Sequence, residues 1–297
     1  MATSPGRRTP GETPAVSGPT RARQISTEQF QRAQQIVAYT ARHEAVSVIY
    51  GDTGLGKTYA MRRGARKLLE ARARGDRTEV TLTQFPMDWT RLQIAKTLLK
   101  SITGEDFVGN NGKATNRLLD VLTATPRLLI VDEAQQLNEK SIEFLRFLHD
   151  HDETRFGLLF VGGNGCWRVL SSKPMLRSRI SQRQEFKALL PVEVPSLMRA
   201  YHPLYRDADD DLITYVDESY ANGQWRSWAI FSFNAVEVAQ RVGRSHIDWE
   251  IVENTFAMNP PDERPSHTRR RPPARTETAA EPVGTILASR TADDAAR

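Results

Sequence analysis

The stretch Gly51-Asp52-Thr53-Gly54-Leu55-Gly56-Lys57-Thr58 constrains this chain more than any other. It satisfies G-x-x-x-x-G-K-[ST]. A β-rich apolar run over residues 45–50 precedes it and an Ala-, Met-, Arg- and Leu-rich stretch over 57–74 follows, so strand, tight loop and helix are expected in that order. Glycines let the backbone wrap closely enough for successive N–H groups to face phosphate oxygens, and the helix that follows turns its positive end to the same anion. Lys57 is expected to reach the β- and γ-phosphates of a nucleotide, and Thr58 to ligate Mg2+. A chance glycine-rich turn is a poor rival, because four specified positions coincide with the right flanking elements.

A second motif supports the first. Leu128-Leu129-Ile130-Val131 has the composition of a buried strand and ends in Asp132-Glu133, so both carboxylates emerge at a strand's C-terminal end, where parallel sheets bind ligands. Asp132 is expected to hold the Mg2+ shell, and Glu133 to polarise the water that attacks the γ-phosphate. Alone, such a run is as often a strand end with a solvated acidic pair; its weight comes from the glycine-rich loop.

Around these motifs strands alternate with helices. Strand-like runs occupy 79–85, 127–131, 156–161 and 184–186, and helical ones start with the capping-box spacing at Ser26, with Asp88, at Lys113 and with Asn138. Residues 165–180 read as helix interrupted by Pro174. The expected fold is α/β, a parallel five-stranded sheet covered by helices on both faces. After Pro191 strands cease, and 194–201, 209–221, 224–241 and 246–257 read as a small all-helical lid. The expected organisation is a disordered tail over 1–24, a core over 25–190, the lid over 191–258 and a second disordered tail over 259–297. Both ends are rich in Pro, Ser, Thr and Arg and poor in anything to bury, including Arg269-Arg270-Arg271 near the second.

Composition excludes several classes. No run approaches the ~18 apolar residues of a membrane helix. No apolar segment follows Arg7 and Arg8, so a secretory signal is not expected. One cysteine, Cys166, rules out an internal disulfide and fits a reducing cytoplasm. A net charge of +5 permits nucleic-acid contact without requiring it.

With these motifs in place, residues from about 25 to 257 resemble the AAA+ ATPases. Asp132-Glu133-Ala134-Gln135-Gln136-Leu137, residues 144–150, the run 157–164 and Ser178-Arg179 look like the MuB/TnsC transposition regulators, with the TniB and IstB relatives close by. The resemblance implies ATP and Mg2+ as ligands, ATP hydrolysis, and a homo-oligomer, a helical filament or ring, on double-stranded DNA. It further implies a transposase partner and action in the cytoplasm of a bacterial or phage-infected cell. It makes Asn164 a polar sensor of the γ-phosphate, although Gly163-Asn164-Gly165 also reads as a turn. Arg177 and Arg179 fall where a neighbouring subunit's arginine finger belongs, with a surface ion pair as the alternative for one of them. Arg226, at a lid-helix start, resembles a second sensor, or packs between Trp225 and Trp228. A helicase-loader or chaperone-like ATPase acting on a protein partner is the alternative function.

For DNA contact the candidates are Lys96 with Lys100 and Lys113 with Arg117, each pair four apart on one helix face, though a solvated basic face has the same spacing. The denser set Arg62, Arg63, Arg66, Lys67, Arg72 and Arg74 reads as a solubilising or subunit-contacting face. His149 and His151 are two apart with no third ligand at zinc spacing, Cys166 reads as a small buried hydrophobe, and the five tryptophans read as packing residues.

Overall fold

The structure, a computed structural model, describes residues 21–260. Strands β1 (Val46–Gly51), β2 (Glu79–Gln84), β3 (Arg127–Asp132), β4 (Phe156–Gly162) and β5 (Ile180–Phe186) form one wholly parallel sheet in the order β2-β3-β4-β1-β5. Because all strands run the same way, the ends of β1, β3 and β4 emerge together at one edge.

Period-two alternation splits the core. Val48, Leu129, Val131, Leu158 and Phe160 face one side, under α3 (Arg91–Thr103), α4 (Asn111–Ala124), α5 (Glu139–His149), α6 (Cys166–Ser171) and α7 (Pro174–Arg177). Ile49, Leu128, Ile130, Leu159 and Val161 face the other, under α1 (Glu28–Arg42) and α2 (Lys57–Arg72). Burial on both faces is why the central strands read as continuous apolar runs. β5 is different. It lies at the edge and alternates exposed Ser181, Arg183 and Glu185 with partly buried neighbours, so it begins at Ile180, four residues before the apolar signal that locates its end.

Helix starts follow side-chain caps more closely than the apolar pattern. Thr27, not Ser26, accepts from the Phe30 N–H at 3.2 Å, and Gln29 instead bonds the backbone of Lys187. Thr90, not Asp88, caps α3 in a complete capping box with Gln93, while Asp88 turns into the left-handed region at φ 62°. Asn110 caps α4, which begins at Asn111, two residues before Lys113, and Asn138 caps α5 by accepting from Ser141 N–H at 2.9 Å.

The helices α8 (Val194–Tyr201), α9 (Asp210–Val216), α10 (Trp225–Arg241) and α11 (Trp249–Met258) gather around their own apolar cluster, centred on Tyr205, Trp228 and Phe231. Past α9 the chain widens into a π turn, Asp217–Ala221, and reverses at Asn222 and Gly223. The buried Asp217 carboxylate secures that reversal by accepting from Gly223 N–H and Trp228 Nε1, both at 2.9 Å. Asp248 caps α11 from Ile251 N–H, which starts it three residues after His246. Ala22 and Ile25 also pack on this cluster, and Arg23 N–H reaches the Tyr201 carbonyl at 2.7 Å, so ordered contact begins ahead of Ser26. Arg7, Arg8 and Arg269 to Arg271 lie outside the described residues. Among the described residues no helix is long and apolar enough to cross a membrane.

Trp228 fills the helical cluster with no exposed surface and also supports Asp217. Trp228→Ala is expected to lower stability by about 3–5 kcal/mol, read from denaturant unfolding.

Candidate nucleotide site

The loop between β1 and α2 is shaped by positive backbone angles. Gly51 has φ +141° and a Cβ there would lie 2.2 Å from the Phe186 carbonyl oxygen; Gly54, at φ +82°, would meet the Gln224 side chain at 2.8 Å. Side chains are excluded at both, and the backbone is left to line the loop. Gly56 takes the N-cap position of α2 in the left-handed region and offers no side-chain cap, so the first-turn N–H groups remain available to an anion. Asp52 and Thr53 are exposed, Gly54 and Leu55 are buried, and Thr58 is partly buried in the first turn.

Lys57 is buried to 8% exposure and its Nζ donates to the Asp52 carbonyl oxygen. Burial pushes its ammonium below the ordinary lysine value, against the raising fields of Glu133, Asp132 and Asp52, and Arg226 lowers it further. Those fields identify the groups gathered around it. Asp132, at the end of β3, accepts from Glu133 N–H at 3.0 Å. Burial holds its carboxyl above the usual carboxylate range, while Arg62 and Lys57 act the other way. Glu133 stands in the left-handed region at φ 54°, which no other position of the motif requires of a side-chain-bearing residue, and it opens the short 3-10 turn Ala134–Gln136.

Hard oxygen donors Thr58 and Asp132, the latter partly desolvated, fit a magnesium ion, and the uncapped, glycine-lined loop fits a polyphosphate. Asn164 follows β4 at the same edge of the sheet and is exposed. The start of α10 closes over the loop, with Arg226 N–H donating to the Gly54 carbonyl at 2.9 Å and Trp225 lying 3.6 Å from where a Gly56 Cβ would be. Arg226 itself is exposed, and its charge is felt at Lys57, so its surroundings are the site as well as the flanking tryptophans.

The two arginines at the end of α7 differ. Arg179 is engaged within its own chain, by Asp150 and by the Met175 carbonyl at 2.9 Å, whereas Arg177 is exposed with no ion pair among the described residues. Of the basic residues on α3 and α4, Lys100 pairs with Asp106 at 2.8 Å, Lys96 is partly buried, and Lys113 and Arg117 are exposed. Cys166 is buried against Gly162 and its thiol is pushed up to about 12 by burial. Trp167 is more than packing: Tyr50 stacks on it at 5.9 Å and the Arg183 guanidinium lies 4.5 Å from its ring centre.

Gln135 escaped the sequence patterns. Its Nε2 donates to Glu133 Oε2 and its Oε1 accepts from Gly163 N–H at 2.7 Å. The one available signal was a polar amide two residues beyond the acidic pair.

Asp132 also makes a stability statement. Its folded pKa lies above its unfolded one, so the folded state holds a proton the unfolded chain has lost in the window above the ordinary aspartate value, and stability falls as pH rises through that window. In magnesium- and nucleotide-free protein, Asp132→Asn is expected to raise the melting temperature at neutral pH and to flatten this dependence, as scanning calorimetry between pH 4 and 8 would show.

Comparisons with known proteins agree with this geometry. Residues 40–170 match the family model described as an AAA domain. Over 183 residues the chain is 24% identical to the ATP-dependent target DNA activator B of Escherichia phage Mu, covering 60% of this chain and 55% of that protein, little more than half its length. Among solved structures, Cdc6p from Pyrobaculum aerophilum superposes with a TM-score of 0.63 at 18% identity, over 82% of this chain and 70% of that one. The Aeropyrum pernix ORC1 protein in complex with DNA gives 0.60 at 19% identity, over 81% and 67%. The chain therefore has the α/β P-loop AAA+ fold, and its residues 40–170 match an AAA domain.

Proposed function

We propose that this protein is an ATP-hydrolysing, DNA-binding AAA+ protein. In this reading it assembles on duplex DNA as a filament or ring and selects target DNA, or hands it over, for the transposase of a transposon or Mu-like phage. The observation that carries the ATPase half is the meeting of Lys57, Asp132 and Glu133 around one loop beneath the start of α10. The likeness to a protein named as an ATP-dependent target DNA activator supports the DNA half and a place of action in the cytoplasm of a bacterial or phage-infected cell.

In this reading the loop N–H groups and Lys57 hold the β- and γ-phosphates of ATP, drawing Lys57 from the Asp52 carbonyl. Glu133 takes a proton from the attacking water, and Asn164 orients the γ-phosphate or that water. Magnesium held by Thr58 and Asp132 would neutralise charge on the phosphate oxygens. Arg226 adds positive charge from the lid side. Arg177, with no ion pair among the described residues to break, suits the role of a finger offered to the next copy better than Arg179, which Asp150 retains. For duplex DNA, Lys113 and Arg117 are the freer cations, joined by Lys96, while Lys100 would first have to leave Asp106.

Electron microscopy of the protein with ATP and duplex DNA tests the reading. Regular helical or ring assemblies enclosing DNA are expected. Assembly that ignores DNA and forms on a replicative helicase would favour the loader alternative. Lys57→Ala should abolish nucleotide-dependent assembly. Glu133→Gln should keep assembly and lower turnover by roughly 10²–10⁴-fold, measured as phosphate release. Neutralising Lys96, Lys100, Lys113 and Arg117 together should remove DNA-dependent assembly while ATP binding persists; unchanged filaments would show that DNA meets another surface.

A further inference from the structure

The side chain of Gln135 joins two loops that no backbone hydrogen bond connects. Glu133 and Gln135 lie on the turn that follows β3, and Gly163 lies on the turn that follows β4, one residue before Asn164. The amide orientation is determined. With Nε2 toward the Glu133 carboxylate and Oε1 toward the Gly163 N–H both contacts are donor to acceptor, and a flipped amide would set oxygen against carboxylate and N–H against N–H. The contact is also built on the opposing side. A Cβ at Gly162 would stand 2.7 Å from Gln135 Oε1 and 2.5 Å from Cys166 Sγ, and one at Gly163 would stand 3.3 Å from Gln135 Nε2. The two glycines clear the room the amide occupies. Gln135 is only partly buried, so nothing in its packing alone demands an amide there.

From this geometry we propose that Gln135 is a positioning residue for hydrolysis: it orients the Glu133 carboxylate and ties it to the loop carrying Asn164. The proposal rests on the ATPase reading above and deepens it. Glu133 sits in a left-handed backbone conformation, and the donor on Oε2 fixes its carboxylate while leaving Oε1 to accept a water proton. Because the same amide accepts from Gly163, any shift of the β4 loop on contact with a γ-phosphate reaches Glu133 through one side chain. Gln135 touches neither phosphate nor water in this scheme, so it governs the rate of turnover and not nucleotide affinity.

The test uses the full chain with duplex DNA, measuring phosphate release, affinity for a fluorescent ATP analogue and melting temperature for the parent, Glu133→Gln, Gln135→Ala and Gln135→Glu. Gln135→Ala is expected to lower kcat about 10- to 100-fold with affinity within twofold of the parent and no loss of melting temperature. Gln135→Glu keeps the size and the acceptor for Gly163 N–H but loses the donor to Glu133, so it should show a similar loss. In a cycle with Asn164→Ala the two losses should be less than multiplicative. A Gln135→Ala kcat within twofold of the parent, a loss shared equally with affinity and melting temperature, or losses that multiply with Asn164→Ala would each overturn the proposal. If the parent hydrolyses ATP and Glu133→Gln does not, such a result counts against Gln135 alone. If the parent binds ATP without hydrolysing it, the ATPase reading and this proposal fall together.

Discussion

An ammonium taken out of water beside two carboxylates is the constraint on which the rest of this molecule turns. Lys57 is buried at the mouth of an uncapped helix, Asp132 is partly buried at the end of β3, and among the described residues neither has a close ion pair of its own. Burial opposes the charged form of each, so two partly desolvated charges meet at one edge of the sheet. Groups in that condition are suited to a ligand that brings both negative phosphate oxygens and a hard cation. The parallel sheet serves this arrangement, because it delivers the ends of β1, β3 and β4 to the same edge while the two flanking cores hold the strands in register.

The helical part is not an independent appendage to that edge. Its cluster is separate from the two beneath and above the sheet, yet α10 begins on the loop itself, sharing the Arg226 N–H with the Gly54 carbonyl. The turn that aims α10 there is held by a buried carboxylate, Asp217, whose two donors are Gly223 N–H and the indole of Trp228. Core packing in the lid, the reversal before α10 and the shape of the phosphate loop are therefore consecutive links of one chain of contacts. Gly54 shows the cost of disturbing them, since its missing side chain is what lets Gln224 approach.

Much of this was legible in the sequence, for identifiable reasons. Strands buried on two faces, such as β3 and β4, announce themselves as apolar runs, and the glycine-rich loop announces itself by spacing. β5 was half legible, because an edge strand with Ser181, Arg183 and Glu185 on its open face has no apolar run until Phe186. Caps such as Thr27 and Thr90 were displaced by a residue or two because neighbouring Ser, Thr and Asp compete for the same role, and only the local backbone decides among them. What could not be read were side-chain partnerships: that Arg179 belongs to Asp150 while Arg177 stays exposed, that Lys100 belongs to Asp106, and that Gln135 spans from Glu133 to Gly163. Each depends on two segments distant in the chain or on a side-chain rotamer, and neither periodicity nor spacing carries that information.

The most direct measurement of the central claim is an isothermal titration of the folded protein with ATP in the presence of magnesium, set against the same titration with AMP. Saturable ATP binding at one site per chain is expected, weakening sharply when magnesium is withheld and not matched by AMP, because in the proposed function the loop grips the β- and γ-phosphates. Equal binding of ATP and AMP, or no heat of binding from well-folded protein, would contradict it.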